Sequence, residues 1–178
     1  YLPLMVALRQ AAERVPVTWV RGNHDFALGR FVEEDLGVRN ARFWERTLEG
    51  QHVLAVHGDV AEPSRWQRVG DRLLQGRIGA MAGRLAGPDR IWRWGNAISA
   101  RSRDHGMGSQ ERVVDAQRAW VDGAIGDGAD VVCTGHSHAP GIEGRGHGTW
   151  VNLGDWVGHR TFATVEDDGV RLHRWIDG

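Results

Sequence analysis

Between residues 4 and 15, apolar side chains fall at Leu4, Leu8, Ala11 and Val15, with Met5 and Ala12 beside them. That spacing predicts an amphipathic helix. Pro16 interrupts the period, and Val17-Thr18-Trp19-Val20 then reads as a short buried strand running into Arg21-Gly22-Asn23-His24-Asp25. Residues 33–36 predict a helical turn closed by Gly37. Residues 43–48 and 52–56 predict two strands of a hairpin linked through Glu49-Gly50-Gln51, the second ending at His57-Gly58-Asp59. Residues 64–85 and 89–103 carry helical patterns, with Pro88 near a helix start. Ser109 is placed to cap a helix running to Ile125 and ended by Gly126 and Gly128. Residues 130–134 predict a strand that leads into Gly135-His136-Ser137-His138. Residues 149–153, 161–165 and 170–175 predict three more strands, the last two joined by Asp167-Asp168-Gly169. This order predicts an α/β fold on a mixed β-sheet, with a helical insertion at about 60–108 between two strand-end motifs.

Composition narrows the chemistry. A chain of 178 residues, 41% hydrophobic and 25% charged, suits one globular domain or a piece of one. All 22 basic residues are Arg, so Schiff-base catalysis and a P-loop, which need a lysine amine, are excluded. Cys133 is the single cysteine, which excludes an internal disulfide and a Cys-rich zinc site and suits a reducing, cytoplasmic compartment. No run approaches the roughly 20 apolar residues of a membrane span. The opening apolar run stops at Arg9 and Glu13, unlike a secretory leader, and a first residue of Tyr1 suggests a fragment or processed product. The net charge of −1 argues against a nucleic-acid partner. Residues 60–108 nevertheless hold nine Arg against four acids, together with Trp66, Trp92 and Trp94. That asymmetry points to an anionic partner on one side of the molecule.

Three Gly-containing segments follow predicted strands: Gly22-Asn23-His24-Asp25, His57-Gly58-Asp59 and Gly135-His136-Ser137-His138. Ligands collect at the carboxyl ends of strands in α/β folds. Asn23 offers an amide oxygen, and His57, His136 and His138 offer imidazoles. Such donors suit Mn, Fe, Zn or Mg, and two such ions generate a nucleophile from water and clamp a phosphoryl group. Taken singly, an Asn after Gly is commonly a turn residue and a His at a strand end commonly structural. The three segments together, in this order, carry the weight.

These motifs resemble those of the calcineurin-like metallophosphoesterases, whose signature runs D-x-H, G-D, G-N-H-D, a His-bearing strand end and G-H-x-H. The three segments above match the last three. Within that superfamily the chain resembles the UDP-2,3-diacylglucosamine hydrolases of lipid A synthesis, on His57-Gly58-Asp59, the length of the basic insertion, Arg101-Ser102-Arg103 and Leu153-Gly154-Asp155-Trp156. The resemblance implies a mixed β-sheet sandwich flanked by helices, forming one partial domain over residues 1–178 that lacks its N-terminal strands. It implies two divalent metal ions, chiefly Mn²⁺, with Asn23, His57 and His136 on the second and His138 on the first. His24 would face the phosphate as a catalytic group, with Asp25 orienting its ring. Trp66, Arg101, Ser102 and Arg103 would bind substrate. The implied reaction hydrolyses the diphosphate of a lipid-linked nucleotide sugar to a lipid sugar phosphate and UMP, in the cytoplasm or peripherally on the inner face of the inner membrane.

Two departures from the family pattern set further expectations. D-x-H and G-D are absent and would lie upstream of Tyr1. Without their carboxylates, His138 alone does not hold the first ion. The chain as given is then expected to be inactive and, lacking strands, prone to assemble or aggregate. The second departure is His24, where the closest branch often has Arg. A metallophosphoesterase acting on another nucleotide or phosphodiester is the first alternative, and a non-catalytic interaction module the second. Val69, Leu73, Ile78, Met81 and Leu85 either line a channel for acyl chains or simply pack the insertion. His52, His105, His147, His159 and His173 read as surface or structural, Cys133, Trp19 and Trp120 as core, and Asp59 and Asp155 as loop-fixing residues.

Overall fold

The computed structural model describes residues 2–23, 25, 31–61 and 107–176. The helices expected at 64–85 and 89–103 lie outside these residues, as do His105 and the five apolar positions of the insertion. The described residues group into two compact units, one ending at Ala41 and one starting at Arg42 that takes in the chain from Ser109 onward.

The first unit holds α1 (Leu2–Ala12), β1 (Thr18–Val20), α2 (Phe31–Glu34) and β2 (Arg39–Ala41). β1 and β2 pair in parallel, with Trp19 opposite Asn40. Val32, Leu36 and Val38 are buried, and Met5, Leu8, Ala12, Val17 and Trp19 pack on them. The stripe that turns inward is therefore Met5-Leu8-Ala12, spaced three and four apart. Leu4 and Val15, expected on that stripe, are 52% and 57% exposed. Gly37 at φ 69° turns the chain back to form β2. β2 was not expected, because Arg39-Asn40-Ala41 carries no apolar alternation.

The second unit is built on a five-stranded sheet in the order β3 (Phe43–Leu48), β4 (Gln51–Val56), β5 (Val131–Thr134), β7 (Gly148–Asn152) and β6 (Gly141–Arg145). β4, β5 and β7 run parallel, while β3 and β6 are antiparallel edges. Glu49 and Gly50 both have positive φ, 46° and 77°, the signature of the two-residue turn that matches strand twist. α3 (Met107–Gly126) precedes β5, and β8 (Thr161–Glu166) with β9 (Gly169–Arg174) forms a separate hairpin. α3 begins at Met107, so Ser109 lies in its first turn rather than at its cap.

Strand periodicity divides the core in two. Val53, Val131, Cys133 and Val151 face the β8–β9 hairpin through Ala163, Val165, Val170 and Leu172. Val132 and Trp150 pack against Val121 and Ile125 of α3, with Trp120 alongside. All four residues of β5 are buried, as a strand covered on both faces requires. The result is the expected α/β architecture on a mixed sheet. Cys133 is buried within it, and desolvation pushes its thiol up to about 11. Among the described residues, no helix is long and apolar enough to cross a membrane.

Candidate metal centre

β4 and β5 are adjacent and parallel, so their carboxyl ends emerge side by side. Val56 leads into His57-Gly58-Asp59, and Thr134 leads into Gly135-His136-Ser137-His138. The two segments continue the pairing: the Gly135 N–H donates to the His57 carbonyl at 2.9 Å. The His57 and His136 rings meet edge to face, with centroids 5.1 Å apart and planes 67° apart. A hydrogen bond of 2.7 Å from the Ser137 N–H to the Gly135 carbonyl closes a three-residue turn around His136. His136 and His138 have φ values of 66° and 54°. Side chains other than glycine seldom adopt that region, and strain of this kind persists where the surroundings over-determine it.

A buried amide pair supplies that support. Gln117 of α3 is fully buried and shares a helix stripe with Val114, Val121 and Ile125. Its Nε2 donates to the Gly135 carbonyl at 2.9 Å, and its Oε1 accepts from Asn152 Nδ2 at 3.3 Å. Asn152 Nδ2 also donates to Ser137 Oγ at 2.6 Å, and Asn152 Oδ1 accepts the Gly154 N–H at 3.0 Å. Trp150 Nε1 donates to Thr134 Oγ1 at 2.9 Å, directly before the turn. Gln117 and Asn152 escaped the sequence reading. The available signal was a polar residue on the apolar stripe of a helix, and another at the end of a buried strand.

Gly58 packs on the same amide. Its φ is 107°, and a Cβ there would lie 2.3 Å from Gln117 Nε2 and 3.2 Å from the Gly135 carbonyl oxygen. Gly58→Ala is therefore expected to destabilise the fold by about 2 kcal/mol through backbone strain and overpacking. Urea unfolding checks this; an unchanged midpoint would contradict the crowding.

In the first unit, β1 delivers Asn23 and Asp25. Asp25 Oδ2 accepts Trp19 Nε1 at 3.2 Å and the Gly22 N–H at 2.8 Å, so the carboxylate fastens the turn that carries half-buried Asn23. The structure thus brings together His57 and His136, with His138 two residues on, and places Asn23 and Asp25 within their own unit. His24, Trp66, Arg101, Ser102 and Arg103 lie outside the described residues. Among the described residues, no three His, Cys, Asp or Glu side chains gather as a metal site by themselves. The adjacent imidazoles of His57 and His136 are nonetheless a donor pair suited to borderline divalent cations.

The sequence profile of the calcineurin-like phosphoesterases matches residues 1–140. The chain belongs to the calcineurin-like phosphoesterase family. Phosphoesterases of this family use divalent metal ions, which agrees with the donor chemistry of the two strand ends. Among curated relatives, a UDP-2,3-diacylglucosamine hydrolase of Shewanella pealeana is 26% identical over 176 residues, spanning 95% of this chain and 73% of its own length. A UDP-2,3-diacylglucosamine hydrolase of Xanthomonas oryzae pv. oryzae is 28% identical over 187 residues, spanning 96% of this chain and 75% of its own length.

Downstream of the histidines, this phosphoesterase carries a loop fastened by Asp155. Its two oxygens accept the Gly158 N–H and bond His159 Nδ1. Burial alone would raise the Asp155 pKa. The Gly158 N–H, the His159 ring and the field of His138 outweigh burial and hold the carboxyl below its ordinary 3.8. A carboxyl lowered on folding adds stability above its unfolded pKa, and that stability is lost as pH falls through the folded value. Asp155→Asn is therefore expected to lower the urea midpoint at pH 7 and to converge on the wild type as pH falls well below the carboxyl's ordinary 3.8. An equal gap at both pH values would overturn this assignment. The same loop presents Trp156, which meets Trp175 at 6.5 Å between ring centroids, and Val157, which is 94% exposed.

Proposed function

We propose that this phosphoesterase hydrolyses the diphosphate of UDP-2,3-diacylglucosamine, or of a closely similar lipid-linked nucleotide sugar, in lipid A synthesis, releasing UMP. The observation that carries the metal chemistry is the meeting of His57 and His136 at neighbouring strand ends. The substrate class rests on relatives of that name aligned along nearly the whole chain.

In this reading Asn23, His57 and His136 hold one divalent ion, His138 belongs to the other, and Mn²⁺ is the resident metal. When bound, the ions supply positive charge against the phosphoryl oxygens and acidify water. The chain's own residues do the rest. Asp25 fastens the turn that carries Asn23, and His24 is assigned to stabilise charge on the transferring group. Trp66, Arg101, Ser102 and Arg103 receive the headgroup and diphosphate, arginine pairing bidentately with phosphate. Peripheral membrane contact draws support from exposed Trp156, Val157, Trp175 and Ile176, since tryptophan favours the headgroup boundary.

The test is UMP release by the full-length protein with Mn²⁺, comparing UDP-2,3-diacylglucosamine with a generic phosphodiester. Preference for the lipid-linked substrate supports the reading. Equal or better turnover of the generic ester assigns the chain to another metallophosphoesterase activity, and no turnover of either favours a non-catalytic module. For the membrane contact, cosedimentation with anionic vesicles unaltered in Trp156→Ser/Trp175→Ser would remove it.

A further inference from the structure

We infer that Gln117 and Asn152 form a positioning brace that holds the His57 and His136 segments in ligand geometry, a role that rests on the proposed metal assignment. Four links lead from this amide pair to three loops. Gln117 Nε2 bonds the Gly135 carbonyl at 2.9 Å, one residue before His136. Gly58, one residue after His57, packs against the same Nε2. Asn152 bonds Ser137 Oγ at 2.6 Å, between His136 and His138, and the Gly154 N–H at 3.0 Å, one residue before Asp155. The 3.3 Å bond between the two amides closes the set.

Chemistry explains why these residues are amides. The Gly135 carbonyl and the Ser137 hydroxyl accept while the Gly154 N–H donates, and a side-chain amide meets both needs from one planar group. A buried carboxylate would face the Gly135 carbonyl oxygen with no proton to donate. A buried apolar side chain would leave that carbonyl and the Ser137 hydroxyl without these bonds, at a cost the interior does not recover. The left-handed backbone at His136 and His138 is the conformation that needs holding. Gln117 touches no reacting group in this scheme and acts through the loops. It resembles the outer partners of metal ligands, whose loss typically weakens metal binding about 10–100-fold.

The experiment uses the full-length protein and Mn²⁺ alone. Gln117→Met and Asn152→Ser cut the brace from opposite ends, so a folding failure in one leaves the other to decide. Val121→Ala, one helical turn along the same face, is the stability control, and His57→Ala tests the ligand assignment. The brace predicts Mn²⁺ binding weakened about 10–100-fold in both brace variants. Val121→Ala should keep wild-type affinity despite an equal or larger fall in Tm. Without metal, the Ser137 and Gly154 amides should exchange hydrogen faster in the brace variants than in Val121→Ala. Brace variants that bind Mn²⁺ within about threefold of wild type, while His57→Ala loses it, would overturn the brace and leave the ligands standing. Unchanged binding in His57→Ala would remove the metal assignment, and the amide exchange rates would then decide whether the pair holds the loops at all.

Discussion

His57→Ala in the full-length protein is expected to lower kcat by about 10³-fold or more, equivalent to roughly 4 kcal/mol of transition-state stabilisation. The expectation follows from the ring contact of His57 with His136 and from the shared backbone bond that ties their segments together. Removing one of two adjacent donors should cost more than the 10–100-fold typical of outer partners. Asn23→Ala should fall in the same class. Under the proposed reaction His24→Ala should cost about tenfold, because a sugar phosphate would leave readily and a charge-stabilising group would not be indispensable. Steady-state rates at saturating Mn²⁺ and substrate separate the two classes. Comparable losses at all three positions would overturn the ranking.

Trp150→Ala is expected to cost about 3–5 kcal/mol of folding stability, the range for deleting a large aromatic from a packed core. Trp150 is 2% exposed, packs against Val121 and Ile125, and donates its indole N–H to Thr134. A loss of that size is a large part of the 5–15 kcal/mol that ordinarily separates folded from unfolded chains, and should lower Tm by about 10 °C. Trp150→Phe keeps most of the apolar volume and forfeits the hydrogen bond, so it should cost nearer 1–2 kcal/mol. Urea unfolding of the two variants checks the split. Equal losses would mean that the indole bond, not the packed volume, carries the energy.

Patterns that depend on near neighbours were legible along the chain. The hairpin of β3 and β4 announces itself through two strand-like runs joined by a short link containing Gly50, and β5 through an unbroken apolar run. β6 did not, because Gly141 and Gly144 interrupt a strand whose only large apolar side chain is Ile142. The inward stripe of α1 keeps Leu8 as expected but takes Met5 and Ala12 in place of Leu4 and Ala11, since Leu4 and Met5 are both apolar and only the partners Val32 and Leu36 decide between them. For the candidate site, Gly-His segments after two strands pointed to His57 and His136, and adjacent parallel strands bring them together. Gln117 and Asn152 were invisible for a physical reason. A polar residue reads as surface until its buried partners are known, and Gly135, Ser137 and the facing amide lie well away in sequence.

The solitary cysteine has a practical consequence. Cys133 sits mid-sheet between the helix and hairpin layers, its thiol shielded and held protonated near neutral pH. Alkylating reagents attack thiolate, so the intact molecule should label slowly, and each modification should record an excursion in which those layers part. Without any engineered probe, the protein carries an internal clock of its own opening.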